Sequence, residues 1–245
     1  MNWHRTNTRA AALIAAAIFI VLSHPAGATV IDFNGIPAGS VLGGPVGGDP
    51  VLTAPFAEFT ISCINNGGGP NSAIVFDSQN PTGDDADLGT PNIDFGGPGV
   101  GIGGTSGAPG ENDITYGNLL IIAENVVDGN GDELVDDPDD EAGGGVIVID
   151  FEQAVVVMSA VLVDIDGDEA ATIRLYDSTG ILATIPAQSL GNNSIQTLYG
   201  GGHAGVYRME IELSSSGAVG EIEYVLDTTP VAESTWGGIK AAYAR

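Results

Sequence analysis

Positive charge is the scarcest property of this 245-residue chain: 6 Lys and Arg stand against 32 Asp and Glu, a formal charge of −26. Only 16% of residues are charged, so the acidity comes from missing cations as much as from abundant acids. A nucleic-acid binder neutralises phosphates with a basic face, so that class is excluded. The same deficit opposes docking on anionic lipid. The single cysteine, Cys63, excludes a disulfide framework and any cysteine-based zinc site. It lies in an apolar strand and reads as a small buried hydrophobe rather than a reactive thiol. Beyond residue 28 no apolar run approaches the roughly 18 residues that signal a membrane-spanning helix, and no stretch reads as a long amphipathic helix.

What is present begins with a leader. Arg5 and Arg9 form a positive start, residues 10–23 (AAALIAAAIFIVLS) an apolar stretch, and Ala26-Gly27-Ala28 a small-residue cleavage motif. Residues 1–28 therefore read as a secretory signal peptide, with the mature chain starting at Thr29. The apolar stretch is 14 residues, short for a span. Cleavage removes two cations and no acid, leaving Arg174, Arg208, Lys240 and Arg245 against 32 acids, a charge of −28, with His203 the sole histidine. A two-histidine zinc site is then impossible, and a nucleophile–histidine pair could use only His203. Paired carboxylates are the one common catalytic scheme left open.

Short β-branched or alternating runs recur between Gly and Pro signals at 29–33, 56–64, 73–77, 119–123, 146–151, 155–164, 171–176, 181–185, 194–199, 206–213 and 217–226. Period-two alternation is clear in Tyr207-Arg208-Met209-Glu210-Ile211-Glu212-Leu213. This spacing predicts an all-β domain over 29–227: a two-sheet antiparallel β-sandwich, a jelly roll, followed by a short C-terminal helix or tail at 228–245. Two segments break the rhythm. The Gly/Pro-rich loop 89–112 reads as a mobile surface loop or as an insertion covering one sandwich end. The acidic loop 124–141 holds nine carboxylates and no cation.

Three acidic constellations are candidate metal sites. In the first, Asp128, Asn130, Asp132 and Asp136 present oxygens at alternate positions of a tight turn, with Asp139 further along, the convergence a hard cation requires. The EF-hand template fails, because Glu133 stands where it needs glycine and Asp139 where it needs a bidentate glutamate. The turn reads either as a calcium site or as a solvated acidic loop; nine like charges facing extracellular calcium favour the former. The second constellation is Asp84, Asp85 and Asp87, with Asp77 ending the preceding strand. In the third, Asp164, Asp166 and Asp168, the alternation of a strand sets the first two carboxylates about 7 Å apart on one side. That pair suits a cation or a general acid with a partner; the alternative is a polar hairpin turn at Gly167.

The series Phe76-Asp77-Ser78-Gln79-Asn80-Pro81-Thr82-Gly83, Gly117-Asn118-Leu119-Leu120-Ile121-Ile122, Asp140-Glu141-Ala142-Gly143-Gly144-Gly145, Leu162-Val163-Asp164-Ile165-Asp166 and Ser216-Gly217-Ala218-Val219 resembles a succession of motifs in secreted bacterial jelly-roll, galactose-binding-like sandwiches on exosortase or choice-of-anchor surface proteins. The resemblance spans roughly 30–226. It implies a surface or matrix protein whose relatives bind sugars and structural calcium. The exosortase tail of that family is not expected here: residues 228–245 read TTPVAESTWGGIKAAYAR, whose Trp236-Gly237-Gly238-Ile239-Lys240 is similar to short tails closing other exported bacterial proteins.

These readings converge on an exported, non-enzymatic, calcium-stabilised β-sandwich in cell-surface adhesion or ligand binding. Its expected partner is an extracellular glycan or a surface or matrix component, with no nucleic acid and no membrane span after cleavage. A carbohydrate module or a structural matrix component is the alternative, and a carboxylate-pair glycosidase or lyase a further one. Aromatic stacking platforms are few: Tyr116 and Tyr199 are the candidate ligand contacts. Expression in a bacterium that exports proteins is expected to yield a secreted chain whose N-terminal sequencing starts at Thr29; a secreted chain retaining residues 1–28 contradicts the leader.

Overall fold

A computed structural model describes residues 27–46, 58–167 and 169–228. Most of the expected leader, the expected tail helix and Asp168 lie outside the described residues. The all-β expectation holds. The strands are β1 (Thr29–Ile31), β2 (Val41–Pro45), β3 (Phe59–Asn65), β4 (Ala73–Asp77), β5 (Asn118–Ile122), β6 (Gly145–Val163), β7 (Ala171–Tyr176), β8 (Ile181–Pro186), β9 (Ile195–Tyr199), β10 (Val206–Leu213) and β11 (Ala218–Leu226). The only helical turns among the described residues are two short 3-10 segments, Ala86–Leu88 and Ile93–Phe95.

All eleven strands join one hydrogen-bonded sheet in the order β1-β11-β5-β4-β2-β3-β6-β10-β7-β8, with β9 on β6. A further β11–β6 pairing closes β11, β5, β4, β2, β3 and β6 into a six-strand barrel. The closure depends on β6. Residues 146–151 and 155–164 read as two strands in the sequence, but they form one strand of 19 residues. Its first half pairs with β3 and β10, its second with β11 and β9. Inward side chains run Ile147, Ile149, Phe151, Val155, Val157 and then Ala160, Leu162. That change of parity matches the register shifts in β11 opposite.

Strand β2 has no counterpart in the sequence reading, because Gly43-Gly44-Pro45 carries turn residues rather than β formers. Neighbours explain it. A Cβ on Gly43 would lie 3.0 Å from Ile61 Cγ2 and 3.3 Å from Ala73 Cβ, so glycine lets the backbone fit between β3 and β4.

Two apolar layers result. The larger layer, centred on the barrel interior, holds Phe33, Ile61, Val75, Leu120, Ile149, Leu162 and Tyr224, and extends to Ile211 of β10. A second layer lies across the opposite face of β4 and β5, where Ile74, Phe76, Leu119 and Ile121 meet Leu88, Tyr116 and Val135 from the connecting loops. Both strands are thus apolar on both faces, which is why they read as unbroken hydrophobic runs.

Ile149→Ala, in the barrel centre and fully buried, is expected to cost about 2–5 kcal/mol. Ile181→Ala, exposed on edge strand β8, should stay within about 0.5 kcal/mol. Urea midpoints check this; equal losses would contradict the assignment of core and edge.

Candidate metal centre

The loops that cover β4 and β5 also carry the acids. Leu88 and Tyr116 bracket the Gly/Pro-rich segment, and Val135 sits in the acidic loop. The acidic loop is fastened at several points. Val135 N–H donates to Gly39 O at 2.9 Å, and Gly39 N–H donates to Val75 O at 2.8 Å, tying the loop to β4. Gly39 has φ +83°, and a Cβ there would come within 2.5 Å of Val135 O, so this contact admits only glycine. Thr82 Oγ1 donates to Pro138 O at 2.8 Å, and Gly83 N–H to Asp137 Oδ1 at 2.8 Å.

Within that loop, the Asp128 turn has the expected convergence. Asp128 Oδ1 accepts from Gly131 and Asp132 N–H, and its Oδ2 from Glu133 N–H. Asp136 accepts from Gly129 N–H at 2.7 Å and from Asn130 Nδ2 at 2.7 Å. Glu133 adopts φ +69°, the left-handed turn for which the EF-hand template uses glycine. Carboxylate oxygens of Asp128, Asp132 and Asp136 lie within 4.8 Å of one another, all exposed. The backbone N–H groups of Gly131 and Glu133 hold the Asp128 carboxyl below its ordinary range.

Asp139 belongs elsewhere. It does not extend the Asp128 turn; its carboxylate meets those of Asp85 and Asp140, again within 4.8 Å, in a half-buried group. Asp85 Oδ2 accepts from Asp140 N–H at 2.9 Å, and Asp140 Oδ2 from Gly217 N–H at 2.6 Å. Burial raises the Asp85 pKa; the Asp140 amide opposes this and the Asp139 charge reinforces it. Asp140 is 6% exposed, and burial followed by the Asp85 charge raises its pKa as well. Burial and the Asp87 charge push Asp164 up to about 7 against the Asn193 amide. Asp87 is raised by burial, with a smaller contribution from the Asp166 charge. These carboxylates form one mutually repelling field beside the loops that cover β4 and β5.

The remaining expected site residues distribute unevenly. Asp77 stands apart from both clusters, accepting from Gln79 N–H and Asn80 Nδ2. Asp84 is exposed and joins neither group. The expectation that Asp164 and Asp166 share a strand face is corrected: β6 ends at Val163, and Asp164 has φ +61°. The alternation stops there. Asp164 is 2% exposed with Oδ1 accepting from Asn193 N–H at 2.6 Å, whereas Asp166 is half-exposed. Tyr116 is corrected too: at 9% exposure it packs in the second apolar layer and offers no open ring face. Tyr199, 64% exposed at the end of β9, keeps its face to solvent. Asp140 is the residue that the reading of isolated clusters misses; its signal is the Asp-Asp-Glu step leading back into the sheet.

The Gly/Pro-rich segment is pinned by buried asparagines. Asn193 Nδ2 donates to Asp87 O and Gly89 O, Asn112 Nδ2 to Gly89 O, and Asn92 Nδ2 to Asn193 Oδ1. Both arginines among the described residues are engaged on the β6–β10–β7 surface: Arg208 Nε with Asp150 and Arg174 Nη2 with Glu212, each at 2.6 Å. Neither pairs with the clustered acids. Beside Asp136 opens a cleft of about 250 Å³ lined by Asp77, Asn80, Thr82, Val135 and Pro138. The oxygen-only donor set of both clusters suits a hard divalent cation such as calcium and offers no nitrogen or sulfur to a softer one.

No protein-family model matches the chain, and no curated protein does. One solved structure, "Structure of infectious bursal disease virus Gt strain", aligns over 83% of this chain at 12% identity with a TM-score of 0.22. The aligned part spans 56% of the viral chain's length, and a likeness that slight carries no argument.

In chelator, the thermal midpoint is expected to fall as pH rises from about 5 to 8. The folded chain keeps protons on Asp85, Asp140 and Asp164 that the unfolded chain loses near the ordinary value of about 3.9. Their contribution is therefore full below that value and is lost as pH climbs through the raised ones. Asp128 and Asp177, held low, act below this window with the opposite sign. Asp140→Asn should flatten the fall; a midpoint that rises across this range contradicts the account.

Proposed function

We propose that the protein is an exported, non-enzymatic calcium-stabilised domain of jelly-roll type, acting at the cell surface in adhesion or ligand binding. The jelly-roll reading is supported by the way β6 serves two different strand sets with its two halves. One observation carries the calcium reading: Asp85, Asp139 and Asp140 converge at partly buried positions with no described cation beside them. Carboxylates driven together out of water require either protons or a cation, and calcium at extracellular concentration supplies the cation. The Asp128 turn is the second candidate site, more exposed and therefore weaker.

The ligand reading rests on the cleft beside Asp136. Its carboxylate and amide acceptors above an apolar floor suit the hydroxyls and C–H face of a sugar, and Tyr199 is a separate exposed platform. An extracellular glycan is the partner this reading favours over a matrix protein. Glycan-array signal that disappears in chelator and in Asp77→Ala would support it; an empty array in calcium buffer would remove it.

Calcium at a hundred times its dissociation constant adds about 2.7 kcal/mol, which is about 5–10 °C in midpoint for a domain of this size. Scanning calorimetry of the mature protein is expected to show that rise over chelator. Asp85→Asn with Asp139→Asn should remove most of it, and Asp128→Asn with Asp132→Asn a smaller part. No shift at millimolar calcium sinks the calcium reading.

A further inference from the structure

Three asparagines precede glycine in the described residues: Asn34, Asn66 and Asn130. In such a pair the glycine nitrogen, unhindered by a side chain, can attack the asparagine Cγ. A bond forms from that nitrogen to Cγ, the bond between Cγ and Nδ2 breaks, and Nδ2 leaves as ammonia carrying the proton of the glycine amide. Water then opens the cyclic imide at either carbonyl to give aspartate or isoaspartate. Whether a site reacts depends on how firmly the fold holds the asparagine amide and the attacking N–H.

The three sites are held very differently. Asn130 is clamped: its Oδ1 accepts from Asp132 N–H at 2.9 Å, and its Nδ2 donates to Asp136 Oδ1 at 2.7 Å. The attacking group, Gly131 N–H, is bound at 2.6 Å to the charged Asp128 carboxylate, which favours the protonated amide. Asn34 accepts from Asn118 N–H at 2.8 Å and sits in a turn closed by Ile36 N–H on Phe33 O. Asn66 is exposed, and its side chain has no hydrogen-bond partner among the described residues. Gly67 N–H gives one bond, to the neutral Asn65 Oδ1 at 2.9 Å; Gly35 N–H has none among the described residues, so the preference for Asn66 over Asn34 rests on the side-chain amide, which Asn118 N–H holds at Asn34 and nothing holds at Asn66.

We propose that Asn66 is the site at which this protein modifies itself, by imide formation with Gly67, ahead of Asn34 and Asn130. The position matters for the acidic loop. Asn65 Nδ2 and Gly69 N–H, on either side of Asn66, both donate to Glu141 Oε2, at 2.9 and 3.2 Å. Glu141 ends the acidic loop. Conversion of Asn66 adds a carboxylate to the turn that grips Glu141, and the isoaspartate form lengthens its backbone by one carbon. The change is a slow, irreversible loosening of that anchor, set by elapsed time rather than by an enzyme.

Peptide mapping after chymotrypsin, on the mature protein held in mildly alkaline calcium buffer, reads the mass gain at each asparagine. Severalfold faster conversion at Asn66 than at Asn34 or Asn130 is the expected result. In strong denaturant the three rates should draw together, because the fold no longer distinguishes them. Faster conversion at Asn34 or Asn130 in the folded protein overturns the assignment, as do rate ratios unchanged by denaturant. An Asn66→Gln variant, mapped alongside, should lose the early product; its persistence would show that the signal came from another site.

Discussion

Strands β4 and β5 are apolar on both faces, and the rest of the described fold answers that constraint. Val75 and Leu120 point into the barrel, while Ile74, Phe76, Leu119 and Ile121 point out of it. Six strands closing on themselves bury the inner set. The outer set needs a cover, and no α-helix is available among the described residues to supply one. The protein uses its two long connections instead, laying Leu88, Tyr116 and Val135 across the outer surface. Each fully buried side chain of that size is worth about 1.5–3 kcal/mol, enough to hold irregular backbone in place.

A loop used as a buried layer must satisfy its own polar groups. Here Asn92, Asn112 and Asn193 do so for the Gly/Pro-rich segment. The Asp85 and Asp140 contact joins the two covers to each other. The same arrangement concentrates negative charge. Acids that would repel one another in a free loop are drawn together by the apolar layer beneath them. The described arginines are both occupied on another surface. Hydrophobic burial thus gathers uncompensated negative charge beside the loops that cover β4 and β5, and the calcium proposal rests on that gathering.

Much of this was legible in the sequence at the level of strands and little at the level of the site. Bounds at 73–77, 171–176 and 206–213 coincide with β4, β7 and β10 because alternation or continuous apolarity marks them without ambiguity. The Asp128 turn was legible for a similar reason: its side chains and backbone amides are all within a few residues. The Asp85, Asp139 and Asp140 group was not, since its members are 54 and 55 positions apart and meet only through the second apolar layer. Tyr116 misled in the opposite sense; a lone tyrosine beside a glycine loop looks exposed, and the cover over β5 buries it. Asp164 departed from its strand because a left-handed residue ends β6 one position earlier than alternation implies.

The most direct test is anomalous diffraction from crystals of the mature protein grown with calcium and with a lanthanide in its place. An ion coordinated by Asp85, Asp139 and Asp140 at about 2.3–2.6 Å is the predicted result. Density at that position explained by water or by protonated carboxyls alone, with the lanthanide bound elsewhere or not at all, would contradict the claim that these acids are assembled around a cation.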